Sequence, residues 1–236
     1  MEYIKLAFFV EGYTEQYFLQ KLLTEIFSVN DIAIELKTIS GGKNSDIKYT
    51  NIQSAKITDE IKYFVLIYNC GGDSSIKSYI LDHRENLIKA GYKKIIGLRD
   101  LYPDFTREDI LKLRRGLNYK IPQKDIKIQF VLSVMEIESW FLAEYTHFER
   151  IDNKLTIEHI ETNIGLNLSK INTEEIDQAS VTLDTIYKSV GKRYLKKTKS
   201  IERTVDKLDC VQMYYETRKN LESLNELIEA FEEIFE

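Results

Sequence analysis

Apolar positions in the first 150 residues alternate between two spacings. Tyr3–Val10 is a short continuous apolar run broken by Gly12, and from Thr14 onward Phe18, Leu19, Leu22, Leu23, Ile26 and Phe27 recur at intervals of three and four. The first pattern predicts a buried strand and the second an amphipathic helix. Thr14 is the expected N-cap, with Glu15 in the acid-favouring first turn. Asp31–Ile39 reads as a strand and Ser40–Asn51 as a loop. Ile61–Cys70 reads as a strongly apolar strand closed by Gly71 and Gly72. Asp73 is the expected cap of a helix running to about Ala90, which Gly91 ends. Tyr92–Leu98 is a further strand, Asp100–Thr106 a loop, Glu108–Leu117 a short helix and Asp125–Val134 a strand. That last strand leads into a helix containing Glu136–Glu144. Strands alternating with crossover-length helices predict an α/β fold around a mainly parallel, buried sheet flanked by helices.

Beyond about residue 150 the pattern becomes helical. Leu221, Leu224, Ile228, Phe231 and Phe235 step by three and four, the spacing of a packing seam against the domain or a partner chain. The expected organisation is a domain over 1–150 with a helical C-terminal extension over 151–236 packed on it. The seam makes a homodimer through the C-terminal helix a reasonable expectation.

Composition narrows the function classes. The 236 residues are 43% hydrophobic and 30% charged, which excludes a disordered chain. No apolar stretch reaches transmembrane length, and the N-terminal run is too short for a signal peptide. Two isolated cysteines, Cys70 and Cys210, and three scattered histidines, His83, His147 and His159, offer no zinc spacing. Lone cysteines suit a reducing, cytoplasmic compartment. The net charge of −5 excludes a globally basic nucleic-acid coat but leaves room for a local basic face. One such stretch exists: Lys188, Lys192, Arg193, Lys196, Lys197, Lys199, Arg203 and Lys207 lie within 20 residues. Its ordinary reading is a solvated helix face. Its nucleic-acid reading has Lys192, Arg193, Lys196 and Lys197 on backbone phosphates, with Lys197 also able to stabilise transition-state charge. Tyr187 and Tyr194 would stack on unpaired bases.

Ligands of open parallel sheets bind at the carboxyl ends of the strands, and acids recur there. Glu11 follows the first strand, with Glu15 a helical turn on. Asp73 follows the strand ending at Cys70. Asp100 and Asp104 follow the strand ending at Leu98, and Glu136 and Glu138 follow the strand ending at Val134. Each has an ordinary use. Glu11 and Glu15 would favour a helix N-terminus, Asp100 and Asp73 would cap turns, and Asp104 suits a turn after Pro103. Glu136 and Glu138, two residues apart on a helix, would point about 200° apart, one toward a site and one away. Taken together, converging carboxylates persist where a divalent cation neutralises them. Mg²⁺, held by carboxylates and substrate phosphates, is the usual partner.

The segment FFVEGYTEQYFLQKLL resembles the opening motif of the Toprim domain of topoisomerases, primases and OLD-family nucleases. Glu11-Gly12-Tyr13-Thr14-Glu15 matches its strand, Glu-Gly and helix acid. IIGLRDLYPDF places Asp100 at the second motif, with Asp104 in place of an acid two residues on. VMEIESWFLAE is similar to a segment of a variant Toprim group from bacterial defence loci. The resemblance covers roughly residues 3–150. It implies a Toprim-like (Rossmann-like) sheet and a Mg²⁺- or Mn²⁺-dependent endonuclease on DNA or RNA in anti-phage defence. Glu11 would be the general acid/base or a metal ligand, and Asp100 the principal ligand. Glu136 and Glu138 would complete the metal site, with Glu15 and Asp104 as further ligands. The alternative it leaves open is a non-catalytic or partner-activated subunit. No GxxxxGK[ST] loop occurs in the chain, so an ATPase partner would be a separate chain.

Overall fold

The computed structural model describes residues 3–42, 45–72 and 75–235. Its contacts divide the chain into two compact units. The first comprises 1–99, 108–132 and 226–236, and the second 100–107 and 133–225. This differs from the expected break near residue 150. The C-terminal residues return to the first unit, and the second begins at Asp100.

The first unit is a six-stranded sheet ordered β3-β2-β4-β1-β5-β6. Its strands are β1 (Ile4–Val10), β2 (Ile32–Gly42), β3 (Ser45–Gln53), β4 (Tyr63–Asn69), β5 (Lys94–Asp100) and β6 (Lys127–Ser133). β1 runs parallel to β4 and β5, and β4 parallel to β2. β2 and β3 pair antiparallel. The α/β class and mainly parallel sheet expected from the sequence are what the chain forms. Central strands are buried on both faces: Leu6, Ala7, Phe8, Phe9 and Val10 of β1 are inaccessible to solvent. Continuous apolar runs are what such strands require.

Two local expectations need correction. Residues 45–51, read as loop, lie in β3. β3 is an edge strand whose described side chains are exposed, so neither face selects apolar residues and no alternation marks it. The first helix, α1 (Tyr13–Phe27), is capped at Gly12 and not at Thr14, which is buried inside it. Asp73 lies outside the described residues.

α2 (Ile76–Lys89) and α3 (Ile110–Asn118) complete the first unit's crossovers. Gly97 of β5 marks a close approach to α2. A Cβ there would stand 2.8 Å from Phe130 Cδ1 and 3.0 Å from Ile80 Cδ1. Gly97→Ala is therefore expected to cost about 1–3 kcal/mol by overpacking, read as a lower midpoint in urea unfolding. A neutral result would mean that the Phe130 ring yields without strain.

The second unit is helical: α4 (Glu138–Ala143), α5 (His147–Ile151), α6 (Ile157–Ile164), α7 (Ala179–Lys188), α8 (Thr198–Val205) and α9 (Cys210–Tyr215). Trp140 is fully buried at its centre, where its indole N–H donates to Ser223 Oγ at 2.8 Å. The last helix, α10 (Glu222–Phe235), carries the apolar seam. Leu221 and Leu224 are buried in the second unit, and Ile228 and Phe231 in the first. Of the two uses expected for the seam, packing against the chain's own residues is the one these four side chains show. Among the described residues no helix is long and apolar enough to cross a membrane.

Candidate functional site

The second unit opens with Asp100, the last residue of β5, which is 3% exposed. Its Oδ1 accepts from Ser133 Oγ and from the backbone N–H of Ile137 at 3.1 Å. Ser133 ends β6, so one carboxylate links the ends of two strands to the chain entering α4.

That entry is sharply bent. Met135 adopts φ +63°, a left-handed conformation costly for a residue with a Cβ, and Glu136 N–H turns back to Val134 O at 3.0 Å. The bend takes Glu136 out of helical register, so the 200° divergence expected between Glu136 and Glu138 does not arise. Glu136 accepts from Ser180 N–H at 2.9 Å and Ser180 Oγ at 2.8 Å, in the first turn of α7. An acid there is favoured by the helix dipole. Glu138 is wholly buried, and its Oε1 accepts from Tyr194 OH at 2.7 Å.

Both carboxylates converge on Lys196. Its ammonium lies 2.9 Å from Glu136 Oε1 and 3.1 Å from Glu138 Oε2. Lys196 also has a left-handed backbone, φ +47°. Two non-glycine residues in this region, Met135 and Lys196, flank one acid–ammonium cluster, and local strain of this kind concentrates at functional sites. The loop bearing Lys196 is pinned on its other side. Asp184 accepts from Arg193 Nε at 2.9 Å and Tyr194 N–H at 2.8 Å, and pairs with Lys188 at 2.8 Å.

The electrostatics follow from three carboxylates facing one ammonium. Burial pushes the Glu138 carboxyl above the ordinary carboxylate range, and neighbouring Glu136 adds to this while Lys196 opposes it. Burial alone would lower the Lys196 ammonium. The charges of Glu138, Asp100 and Glu136 more than reverse that and hold it protonated. Asp184 is costly to bury, yet its bonds to Arg193 and Lys188 bring it down to about 2.

The remaining sequence candidates are distributed differently. Glu11 and Glu15 belong to the first unit, where Glu15 Oε2 accepts from Gly12 N–H at 2.8 Å, the helix-capping use weighed for it. Asp104 is exposed on the loop after β5. Among the described residues, no group of three or more His, Cys, Asp or Glu side chains is set to hold a metal ion. Lys197 is exposed at the N-cap of α8, and it is Lys196 that reaches the acids. Of the cations assigned to phosphate, Lys192 pairs with Asp152 at 2.5 Å, Arg193 with Asp184, and Lys196 with Glu136 and Glu138. Tyr187 and Tyr194 are buried, not available to bases. Ser133 and Ser180 were missed by sequence reasoning. Neither carries a signal apart from the acid it serves.

A second buried network lies in the same unit. Glu144 accepts from Arg150 Nη2 at 2.9 Å and Asp209 N–H at 3.1 Å, and the Nε2 of buried His147 lies 3.2 Å from Tyr187 OH. Burial pushes His147 down to about 3, so it is neutral and structural.

Two solved structures resemble the chain weakly. One is a protein assigned as a cell surface hydrolase from Lactobacillus plantarum, 13% identical, with a TM-score of 0.34. Its likeness covers 62% of this chain and 64% of that one. The other is the product of gene lin2722 from Listeria innocua, 10% identical, TM-score 0.32, over 81% of this chain and 66% of that one. The chain thus spans slightly less than two thirds of either, and no curated protein matches it. A family model matches residues 10–228, nearly the whole length. The chain belongs to that family, described as Domain of unknown function (DUF4276).

Proposed function

We propose that the chain is a metal-dependent phosphodiester hydrolase, an endonuclease on DNA or RNA of Toprim type, working in the cytoplasm in anti-phage defence. The observation that carries the reading is the convergence of Glu136 and Glu138 on the Lys196 ammonium, with Asp100 close enough to act on it electrostatically. Three carboxylates against one ammonium keep excess negative charge in a buried place, which a divalent cation offsets. The donors are all hard carboxylate oxygens, the set Mg²⁺ and Mn²⁺ take. Asp100, Glu136 and Glu138 have the donor chemistry for such an ion, but among the described residues they are not set as a ligand group, and the chain's own ammonium fills the seat between Glu136 and Glu138.

A bound ion would supply Lewis-acid polarisation of the phosphate. The chain's residues supply the rest. Asp100 is held rigid by Ser133 and Ile137. Lys196 brings a permanent positive charge for a phosphoryl oxygen. Burial raises the Glu138 carboxyl, the direction that suits a group handing a proton to the departing sugar oxygen as water adds to phosphorus.

Asp100→Asn and Glu138→Gln are expected to reduce cleavage of plasmid, single-stranded DNA or RNA by at least about a hundredfold, the scale of one acid–base group. EDTA should abolish it, and calorimetry should show Mn²⁺ binding lost in Asp100→Asn. Unchanged metal affinity in that variant would overturn the assignment. A second reading, a subunit activated by a separate ATPase chain, is favoured by the ammonium already occupying both glutamates. It predicts metal binding without cleavage until the partner is added.

A further inference from the structure

The first unit holds a cavity of about 460 Å³ lined by Glu35 and Lys37 of β2, Tyr49 and Asn51 of β3, Tyr68 of β4 and His83 of α2. The register explains the grouping. Lys37 pairs with both Asn51 and Tyr68 in the ladders, so these side chains share one face. His83 stands over that face, its ring 5.2 Å from Tyr49 and 5.0 Å from Tyr68. Its Nδ1 lies 2.8 Å from Tyr79 O. A carbonyl only accepts, so Nδ1 is the donor there. Tyr68 is buried, but Tyr49 is 52% exposed, an aromatic face offered to solvent beside charged groups.

At its polar side Lys37 Nζ lies 2.9 Å from Glu35 Oε1. This places one strong donor directly next to a two-oxygen acceptor on a single strand face. The pattern donor, acceptor, acceptor is the complement of one planar edge, the guanine O6, N1–H and N2–H₂ sequence. Adenine offers one donor beside one acceptor, cytosine one donor beside two acceptors, and uracil one donor between two acceptors, so none of them presents an acceptor followed by two donors to the ammonium and both carboxylate oxygens.

We propose that this cavity is a binding site for an unpaired guanine base, stacked on Tyr49 and read on its Watson–Crick edge by Glu35 and Lys37. The inference deepens the nucleic-acid reading above and rests on it for the source of the base. It makes the preferred substrate a single strand, because both the stacking face and the Watson–Crick edge are hidden in a duplex.

The test is fluorescence anisotropy with labelled five-nucleotide DNA strands differing only in a central guanine or adenine, using the full chain in EDTA. The guanine strand should bind about tenfold tighter, the discrimination of one bidentate contact. Tyr49→Ala should weaken both strands about tenfold through lost stacking. Glu35→Gln should erase the preference while leaving adenine affinity and the circular dichroism spectrum unchanged. Equal affinity for the two strands, or a preference that survives Glu35→Gln, overturns the proposal. Cleavage assays with Mn²⁺ on the same strands separate the two readings. Cleavage without guanine preference removes this site and leaves the nuclease. Guanine-selective binding without cleavage under any metal does the reverse.

Discussion

Methionine in place of Lys196 is expected to destabilise the protein by about 2 kcal/mol at pH 7. Removing one partner of a fully buried ion pair costs about 3–5 kcal/mol. The lower figure applies because the Lys196 side chain is 42% exposed and water screens part of the loss. For a chain of this size the melting temperature should fall by roughly 4–8 °C. The pH dependence identifies the cause. Glu138 has a folded-state pKa raised by burial, so the folded state binds its proton more tightly than the unfolded chain. Stability from that proton is present below the unfolded value of about 4.3 and is lost as pH rises through the folded value. Lys196 opposes the rise, so its loss lifts the Glu138 pKa further and deepens the penalty at neutral pH. Below the unfolded value Glu138 carries its proton in both states, so this part of the penalty disappears and the variant should approach the parent. Melts at pH 4 and pH 7 check this. An equal deficit at both would show that the lysine acts through its hydrocarbon stem.

The second large effect concerns Lys94, a lysine with no exposed side-chain surface. Its ammonium lies 2.6 Å from Glu233 Oε2, which also pairs with Lys127. Burial lowers the Lys94 pKa, and Glu233 is what resists that. Glu233→Ala should cost about 2–3 kcal/mol by leaving a buried charge unpaired, at the low end because the carboxylate is itself half exposed. Adding Lys94→Met should recover most of the loss, since the charge then disappears with its partner. Bonds from Lys127 and Lys94 hold the Glu233 carboxyl down at about 2. Its contribution is therefore complete above about pH 4.3 and is lost as pH falls toward 2. Urea unfolding of the three proteins at pH 7 and pH 3 tests both points. A double variant no more stable than Glu233→Ala would exclude the orphaned charge as the cause.

The central strands and their helices were legible because burial on two faces writes long apolar runs: β1, β4 and β6 each fall within one, and β5 begins in one and runs two residues past it. β3 was not, since an exposed edge strand imposes no pattern that a loop would lack. The acids at the strand ends were legible as a set, but their partners were not. Periodicity assumes that a helix begins where its residues allow, and so placed Glu136 and Glu138 on opposite sides. The left-handed turn at Met135 decides otherwise, and no local residue preference announces it, because methionine rarely adopts that conformation. For the same reason the sequence points to Lys197, whereas Lys196 is the lysine that reaches the acids. Only the left-handed backbone at Lys196 shows which of two adjacent lysines turns inward. The basic stretch was legible as charge and illegible as function: much of it is answered by acids 9 to 60 positions away, such as Asp184 and Glu136.

The return of residues 226–235 to the first unit carries a consequence for synthesis. Phe27 meets Phe231 and Phe235 at ring distances of 6.1 and 4.7 Å, and Tyr63 meets Phe235 at 4.5 Å. A ribosome delivers all six strands well before it delivers these rings. During that interval the nascent sheet has an open flank and Lys94 has no carboxylate. The unit that starts first therefore finishes last. A stalled or truncated product ending near residue 225 would carry a complete strand set and an incomplete core, the kind of species that chaperones retain and proteases clear.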